Sequence, residues 1–237
     1  SFISLCSWIY IVFFHGRKYF FKDNFFWTNS IIFEKNIIKK KYSNKKICVI
    51  IPARNEEKYI EETLISIKNQ NISTLHTLVV NDNSTDNTQQ VLKNFKRDYK
   101  NLQILNGQKL PQGWVGKVWA LKQGVDEANK RNFEYYLFID SDIHLDKGVV
   151  TKSVDFLEDK NLVMFSLMAK LNSKYFWEKL LIPPFIFFFQ KLFPFRRVND
   201  PKDSVSAAAG GFILCKSQIF NQKNWYESIK NKVIDDC

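Results

Sequence analysis

The sequence lacks the motifs that identify several common classes of protein. It has only 8 glycines, and no Gly-x-Gly-x-x-Gly follows an apolar run, which disfavours a dinucleotide-dependent dehydrogenase. The 3 histidines show no metal-ligand spacing, and the 4 cysteines form no Cys-x-x-Cys pair. Cys48 and Cys215 lie in apolar runs, so we expect buried, reduced thiols of the kind found in cytosolic proteins.

Acidic residues are the minority among the charged groups. Lys and Arg number 35 against 24 Asp and Glu, giving a formal net charge of +11 that is spread along the chain. Such a charge favours anionic partners, including lipid headgroups and the pyrophosphate of a sugar nucleotide. No zinc-finger, RNP-like or basic recognition-helix pattern accompanies it, so we expect no nucleic-acid partner.

The length of 237 residues suits one large α/β domain with one catalytic unit. No internal repeat or low-complexity linker divides it. The chain begins at Ser1 and ends at Cys237 without a tail-like composition, so we expect a piece of a longer protein.

Two apolar stretches are unusual for a soluble domain. Residues 1–14 carry no charge but are fewer than the roughly 20 that a spanning helix needs, and no signal-cleavage site follows them. We expect residues 1–22 to be a truncated membrane anchor, with a buried helix as the alternative. Residues 180–195 are rich in aromatic side chains, flanked by Lys179 and Arg196, and interrupted by prolines.

That second stretch is typical of a segment lying in the headgroup region, where rings enter the lipid and cations reach anionic phosphate. We therefore predict an interfacial segment at residues 175–197 and an anionic membrane surface as a partner. A core helix is the competing interpretation. The basic main body favours the cytoplasmic face of the inner membrane.

Between these stretches, short β-branched runs alternate with amphipathic patterns, which predicts an α/β fold with a mostly parallel sheet covered by helices. The expected strands are Ile47–Ile51, Leu75–Val80, Leu102–Leu105 and Tyr135–Ile139. Ligands bind beyond the carboxyl ends of such strands. Polar clusters stand there after the first, second and fourth strands: residues 52–57, 81–86 and 140–142.

The last cluster, Asp140-Ser141-Asp142, places two carboxylates on the same side of an extended chain. Such hard oxygen ligands suit Mg²⁺ or Mn²⁺. A metal bound there to a diphosphate would neutralise charge on the leaving nucleotide. Acidic pairs in loops are common, and the position directly after a strand is what favours a site.

The other clusters have partly structural explanations. Asn55 can cap the following helix with Glu56 and Glu57 in its first turn, and Ser84 or Thr85 can cap the next. Helix capping explains neither Arg54 nor Asp82. Asp82, at the end of its strand, is therefore a candidate to accept hydrogen bonds from a nucleobase or ribose.

Three further features are candidates for the site. Gly116-Lys117 at a helix start offers amides and an ammonium to a phosphate; Trp114 and Trp119 nearby are core anchors or substrate contacts. Small residues at 206–211 precede a strand and allow either a bulky ligand or close packing. Asp235-Asp236 can supply a general base, or be a frayed terminus.

Four strings together resemble family-2 glycosyltransferases with the GT-A fold, over about residues 46–237: VIIPARNEEKYIEETLISI, LVVNDNSTDNT, LFIDSDI and VIDDC. The string LPQGWVGKVWALKQG resembles the subgroup associated with hopanoid biosynthesis. This resemblance implies an inverting transfer from a UDP-sugar or related nucleotide-sugar donor to a lipid or membrane-associated acceptor, with Mg²⁺ or Mn²⁺ as cofactor.

The resemblance also implies residue roles. Asp82 would bind the base, Asp140 the ribose or metal, Asp142 the metal and Lys117 the phosphates, while Asp236 would be the catalytic base. The donor-binding set is Pro52, Arg54, Glu56, Asp82, Lys117 and Asp140. Two positions depart from the family pattern: Asn81 stands where many members have Asp, and Asp235 where Glu is commoner.

Two other functions remain as alternatives. A sugar-nucleotide nucleotidyltransferase has a similar sheet but a Gly-rich loop near its amino end, and no such loop follows Ile51. A membrane-surface domain could keep the fold without catalysis, although the presence of Asp140, Asp142 and Asp236 argues against it.

Overall fold

The computed structural model describes residue 6 and residues 44–171, 174–200, 202–221 and 224–231. The described residues from 44 onward fall into two compact units. The sheet unit comprises residues 44–169 and those from 208 to 231, and the helical unit comprises residues 170–207. Apart from Cys6, the predicted N-terminal anchor lies outside the described residues, and so does the Asp235-Asp236 pair.

A six-stranded sheet in the order β3-β2-β1-β4-β6-β5 forms the centre of the sheet unit. Strands β1 to β4 pair in parallel, and β6 runs antiparallel to both β4 and β5. The four predicted strands are all present, three of them slightly longer than expected. The strands are β1 (Ile47–Ala53), β2 (Leu75–Asn81), β3 (Leu102–Asn106), β4 (Tyr135–Ile139), β5 (Met164–Ser166) and β6 (Phe212–Lys216).

Helices cover both faces of this sheet, as the alternating pattern predicts. They are α1 (Ile60–Lys68), α2 (Thr88–Asp98), α3 (Gly116–Ala128) and α4 (Val149–Asp159), with a 3-10 helix at Ser217–Asn221. Alternate residues of β1 enter different cores: Val49 and Ile51 join one cluster, while Cys48 and Ile50 join the other. Side chains of a strand point alternately to the two faces, which explains why the run is continuously apolar.

Both helix caps proposed from sequence are wrong. Helix α1 follows Tyr59 and α2 follows Asn87, and neither has a side-chain cap. Glu61 and Glu62, rather than Glu56 and Glu57, occupy the first turn of α1. Asn55, with φ of 60°, is in the left-handed region that Asn tolerates, and its side chain is used elsewhere.

Helix α5 (Phe176–Leu192) and the short α6 (Phe195–Val198) form the helical unit. No residue of α5 is buried, so the structure does not support the core-helix interpretation of this segment. Among the described residues, no helix is both long and apolar enough to cross a membrane.

Cys48 and Cys215 are free and buried, as predicted. Burial raises the pKa of the Cys48 thiol to about 12 and raises that of Cys215 as well. Both side chains therefore remain neutral and serve as small apolar groups of the core.

Candidate active site at the carboxyl edge of the sheet

The three polar clusters lie at one edge of the sheet. Strands β2, β1 and β4 are consecutive neighbours, and all three run in the same direction. Asp82, Arg54 and Asp140 directly follow these strands, so the fold brings them to adjacent positions at the carboxyl ends. This is the edge at which ligands bind in open parallel sheets.

Hydrogen bonds that involve side chains connect the loops after β1 and β2. The Asn55 N–H donates to Ser84 Oγ at 3.0 Å, and Asn55 Oδ1 accepts from the Thr85 N–H at 2.8 Å. The Glu56 N–H donates to Thr88 Oγ1 at 2.8 Å. These bonds take the place of the predicted caps. They hold the two loops together, and we call the pair of loops, residues 54–59 and 82–87, the rim of the site.

Asp86 anchors the second loop. Its carboxylate accepts from both the N–H and the hydroxyl of Thr88, and also from the Glu57 N–H. Desolvation raises the pKa of Asp86, but the bonds from Thr88 and Glu57 outweigh it, and the net pKa is lowered. Asp86 therefore stays ionised and keeps a structural role.

Asp82 is the deepest carboxylate of the rim, with only 6% of the residue exposed. Its N–H donates to the Ala53 carbonyl at 2.8 Å, which fixes it beside β1. A β-carbon on Gly107 would lie 3.1 Å from Asp82 Cα, so glycine lets the loop after β3 pass close by. Arg54 reaches Asp82 from solvent, with Nη1 at 3.7 Å from Oδ2.

The amino end of α3 lies near the residues that follow β1 and β2 and also near the residue that follows β4. Helix α3 begins at Gly116, as predicted, and a β-carbon placed there would lie 3.4 Å from Asp82 Oδ2 and 3.9 Å from Arg54 Nη1. The next residue, Lys117, places Nζ at 3.0 Å from Asp140 Oδ1. The Gly116-Lys117 dipeptide therefore lies beside the groups that follow β1, β2 and β4, and Arg54, Asp82, Lys117 and Asp140 are neighbours at this edge.

The Asp140-Ser141-Asp142 loop is held in place by α1 and by the residues that precede β6. The buried Thr63 hydroxyl on α1 donates to the Ser141 carbonyl at 2.7 Å. A β-carbon on Gly211 would lie 3.2 Å from Ile143 Cδ1, so the small residues before β6 allow close packing against this loop. Asp140 is partly exposed and Asp142 is exposed, which leaves oxygen atoms facing solvent.

The carboxylates of Asp140 and Asp142 are of the kind that binds a metal ion together with oxygen atoms of the substrate. Among the described residues, no group of three or more His, Cys, Asp and Glu side chains is arranged to hold a metal ion. Mg²⁺ is often bound through one or two carboxylates plus substrate phosphates, rather than in an all-protein cage. Asp140 and Asp142 match that pattern, since both offer hard oxygen ligands at an open edge.

Several features of the site could not be predicted from the sequence. Asn81 binds within the protein: its side chain donates to Gln89 Oε1 and accepts from the Ser84 N–H. The close approach of Gly116 to Asp82 depends on a loop geometry that has no local signature. Of the remaining predicted donor-binding residues, Pro52 is half-buried in β1, and the Glu56 carbonyl accepts from Tyr59 and Ile60 as the chain enters α1.

The sequence pattern of Glycosyl transferase family 2 matches residues 48–222, which is most of the sheet unit and all of the helical unit. The chain belongs to this family. Its fold is GT-A-like: a mannosyltransferase from Pyrobaculum calidifontis, solved with GDP-mannose and Mn²⁺, aligns with a TM-score of 0.52 at 18% identity. That alignment covers 74% of this chain and 46% of the mannosyltransferase, and at such identity it shows the fold alone.

Two curated glycosyltransferases resemble part of this chain. The Campylobacter jejuni GalNAc(5)-diNAcBac-PP-undecaprenol beta-1,3-glucosyltransferase is 31% identical over 106 residues, or 45% of this chain and 32% of that protein. The probable glycosyltransferase YdaM of Bacillus subtilis is 37% identical over 102 residues, or 41% and 24%. The chain thus matches only a quarter to a third of the length of these relatives.

Proposed function

We propose that this chain is part of an inverting glycosyltransferase that moves a sugar from a nucleotide-diphosphate donor, a UDP-sugar, to a lipid or membrane-near acceptor. One observation carries the proposal: Lys117 forms an ion pair with Asp140, and Gly116, its neighbour in the chain, lies close to Asp82 and Arg54 at the same edge of the sheet. Asp82, the cations of Arg54 and Lys117, and Asp140 are therefore neighbours, and in our proposal they bind the base, the diphosphate and the metal, respectively.

At the nucleotide end, Asp82 accepts hydrogen bonds from the nucleobase or ribose. Its carboxylate is mostly covered and is held in place by its backbone bond to Ala53, so it loses little freedom on binding. Arg54, whose side chain is 63% exposed, can turn from Asp82 to the diphosphate.

At the diphosphate end, Asp140 and Asp142 would hold Mg²⁺ or Mn²⁺, which when bound supplies positive charge to the leaving nucleoside diphosphate. The Lys117 ammonium already lies against Asp140, so it is placed to add its charge to the phosphates. The amino end of α3, which has no side-chain cap, adds backbone N–H groups.

The reaction we propose is a single displacement. The carboxylate of Asp236 takes the proton of the acceptor hydroxyl, and the acceptor oxygen forms a bond to the anomeric carbon. The bond from that carbon to the diphosphate breaks on the opposite face, and its electron pair leaves with the nucleoside diphosphate. Attack from the opposite face inverts the anomeric centre.

The lipid side of the proposal rests on α5. The exposed rings and branched side chains of this helix are accompanied by Lys174 just before it and by Lys179 and Lys191 near its two ends, an arrangement suited to an anionic leaflet. The Campylobacter relative is named for an undecaprenol-PP-linked substrate. We propose a place on the cytoplasmic face of the cell membrane and, from the LPQGWVGK string, membership of the subgroup associated with hopanoid biosynthesis.

The deciding experiment offers UDP-, GDP- and dTDP-sugars with Mn²⁺ or Mg²⁺ to the full-length protein and follows release of the nucleoside diphosphate. Asp142→Asn should lower metal-dependent turnover by about 100-fold or more, because it removes a ligand that acts on the developing charge. Asp146→Asn, at an exposed acid of the same loop, is the matched control and should retain full activity.

Two outcomes would reject the proposal. Turnover that is unchanged in Asp142→Asn would remove the metal site from the mechanism. Consumption of a nucleoside triphosphate with a sugar phosphate, in place of donor turnover, would identify a nucleotidyltransferase.

A further inference from the structure

An aromatic junction lies next to the candidate site and involves a segment that the proposed chemistry does not use. Residues 224–231 pack on the loop that precedes α3. The Val115 N–H donates to the Lys230 carbonyl at 2.8 Å, and the rings of Trp114 and Tyr226 lie 5.3 Å apart. Lys122, in the second turn of α3, places its ammonium 4.7 Å from the centre of the Tyr226 ring.

The loop is braced from the other side as well. Trp119 packs edge-to-face on Trp114 at 4.9 Å, and its Nε1–H donates to the Gln108 carbonyl at 3.2 Å. The Gln108 N–H donates to Gln123 Oε1 at 2.7 Å. The residues from 108 to 115 are therefore tied at one end to α3 itself and at the other to the segment 224–231.

This junction directly precedes the two residues that organise the site. Gly116 follows Val115 in the chain and lies close to Asp82, and Lys117 forms an ion pair with Asp140. Because α3 has no side-chain cap, the bond from Val115 to Lys230 and the ring packing are what hold the approach to its first turn. Displacing the loop would move the amino end of α3 away from both carboxylates.

We infer that Trp114 and Tyr226 are positioning residues: through the Val115–Lys230 bond they hold the amino end of α3 where Gly116 meets Asp82 and Lys117 meets Asp140. The inference deepens the proposed function and rests on it for the identity of the donor.

A purely structural role for these rings would have a different signature. Trp114 and Tyr226 are half-buried, and their neighbour Trp225 packs on Phe220 against the core. If Tyr226 only filled the core, its removal would lower the melting temperature and leave nucleotide affinity per folded molecule unchanged. If it positions α3, affinity falls while the sheet remains intact.

The test compares Tyr226→Ala, Tyr226→Phe and the control Tyr59→Ala, whose side chain is exposed just before α1. Titration calorimetry with UDP, GDP and dTDP in the presence of MnCl₂ measures binding to the full chain. We expect Tyr226→Ala to weaken binding of the preferred nucleotide by about 5- to 10-fold, the range of an aromatic pair, and both other variants to bind as the parent does. Retention in Tyr226→Phe would show that the ring is what matters.

Hydrogen exchange supplies a readout that does not depend on the donor. The Val115 amide should exchange at least about 10-fold faster in Tyr226→Ala, because its bond to Lys230 opens locally, while amides of β1 and β4 keep the parent rates. If Tyr226→Ala lowers the melting temperature, Lys122→Met provides the second variant: it removes the cation that lies on the Tyr226 ring, together with its ion pair to Asp126 and its contact with Trp119, and keeps the tyrosine ring itself.

The outcomes separate this inference from the proposed function. Parent-like affinity together with an unchanged Val115 amide in Tyr226→Ala would overturn the positioning role. A parent chain that binds none of the three nucleotides would overturn the proposed function, and the exchange rates would then still decide whether the junction holds α3.

Discussion

Helices α1 and α5 are both rich in large apolar side chains, yet one is the most buried helix of the sheet unit and the other has no buried residue at all. Leu64 on α1 is fully covered, whereas Leu181 on α5 is 63% exposed. In α1 the buried apolar residues Ile60, Leu64 and Ile67 recur on one face, while Glu61, Glu62 and Ile65 are exposed. In α5 they surround the helix, and polar residues stand only near its two ends.

The difference teaches that periodicity, more than hydropathy, indicates what covers a helix. A single apolar stripe matches the flat face of a sheet, while a helix that is apolar on all sides needs surroundings that are apolar on all sides. In the sheet unit those surroundings are protein. For α5 we propose that they are lipid, and four experiments can break or sharpen this contrast.

The largest effect is expected from a matched pair of leucines. Leu64→Ala should lower the free energy of unfolding by about 2–5 kcal/mol, because it leaves a cavity among fully buried neighbours. Leu181→Ala should lower it by less than about 0.5 kcal/mol. Urea unfolding followed by circular dichroism measures both, and equal losses would mean that protein covers α5.

The second experiment measures lipid binding. Phe185 and Phe188 are 56% and 59% exposed, and replacing both with serine should lower partitioning to phosphatidylglycerol vesicles by at least about 10-fold, since each ring contributes roughly 1.5–3 kcal/mol when fully buried. Ile65→Ser, on the exposed face of α1, is the control and should partition as the parent does. Binding that persists in the double variant would rule out α5 as the membrane contact.

The third experiment tests how tightly the sheet unit is packed. A β-carbon on Gly124 would lie 2.5 Å from Ile50 Cγ2 and 3.2 Å from Val80 Cγ2, so Gly124→Ala overpacks the contact of α3 with the sheet. We expect a loss of about 1–3 kcal/mol despite the better helix propensity of alanine. A thermal melt measures it, and a more stable variant would show that α3 can shift outward at no cost.

The smallest effect concerns acid stability. The Tyr135 hydroxyl donates to Glu158 and, with Lys216, holds the pKa of this carboxyl below its usual value despite desolvation. A depressed folded pKa contributes stability above the unfolded pKa of about 4.3, and this is lost as the pH falls through the folded pKa.

Glu158→Gln should therefore be less stable than the parent at pH 7, by up to about 1 kcal/mol, with the gap closing below about pH 4. Urea midpoints at neutral and acidic pH would show this, beside Glu62→Gln, an exposed control on α1. A gap that stays constant with pH would mean that the ionised form of Glu158 is not what stabilises the sheet unit.

Much of the sheet unit is predictable because its signals are local. Each strand is an apolar run bounded by polar residues, and the carboxyl ends of neighbouring parallel strands must meet at one edge. The prediction that Asp82 and Asp140 follow such strands is confirmed. The helix caps were mispredicted because Asn55 and Ser84 bond across two loops, 29 positions apart, and such pairing leaves no mark in either loop alone.

The sequence by itself determined the alternation of strands and helices, the order of the polar clusters along the chain and the start of α3 at Gly116, because backbone propensity and apolar period act over a few residues. Only the tertiary structure decided that Gly116 meets Asp82, that Lys117 meets Asp140 and that Tyr226 packs on Trp114. Such contacts join residues tens to more than a hundred positions apart, and their geometry follows from how the whole sheet packs.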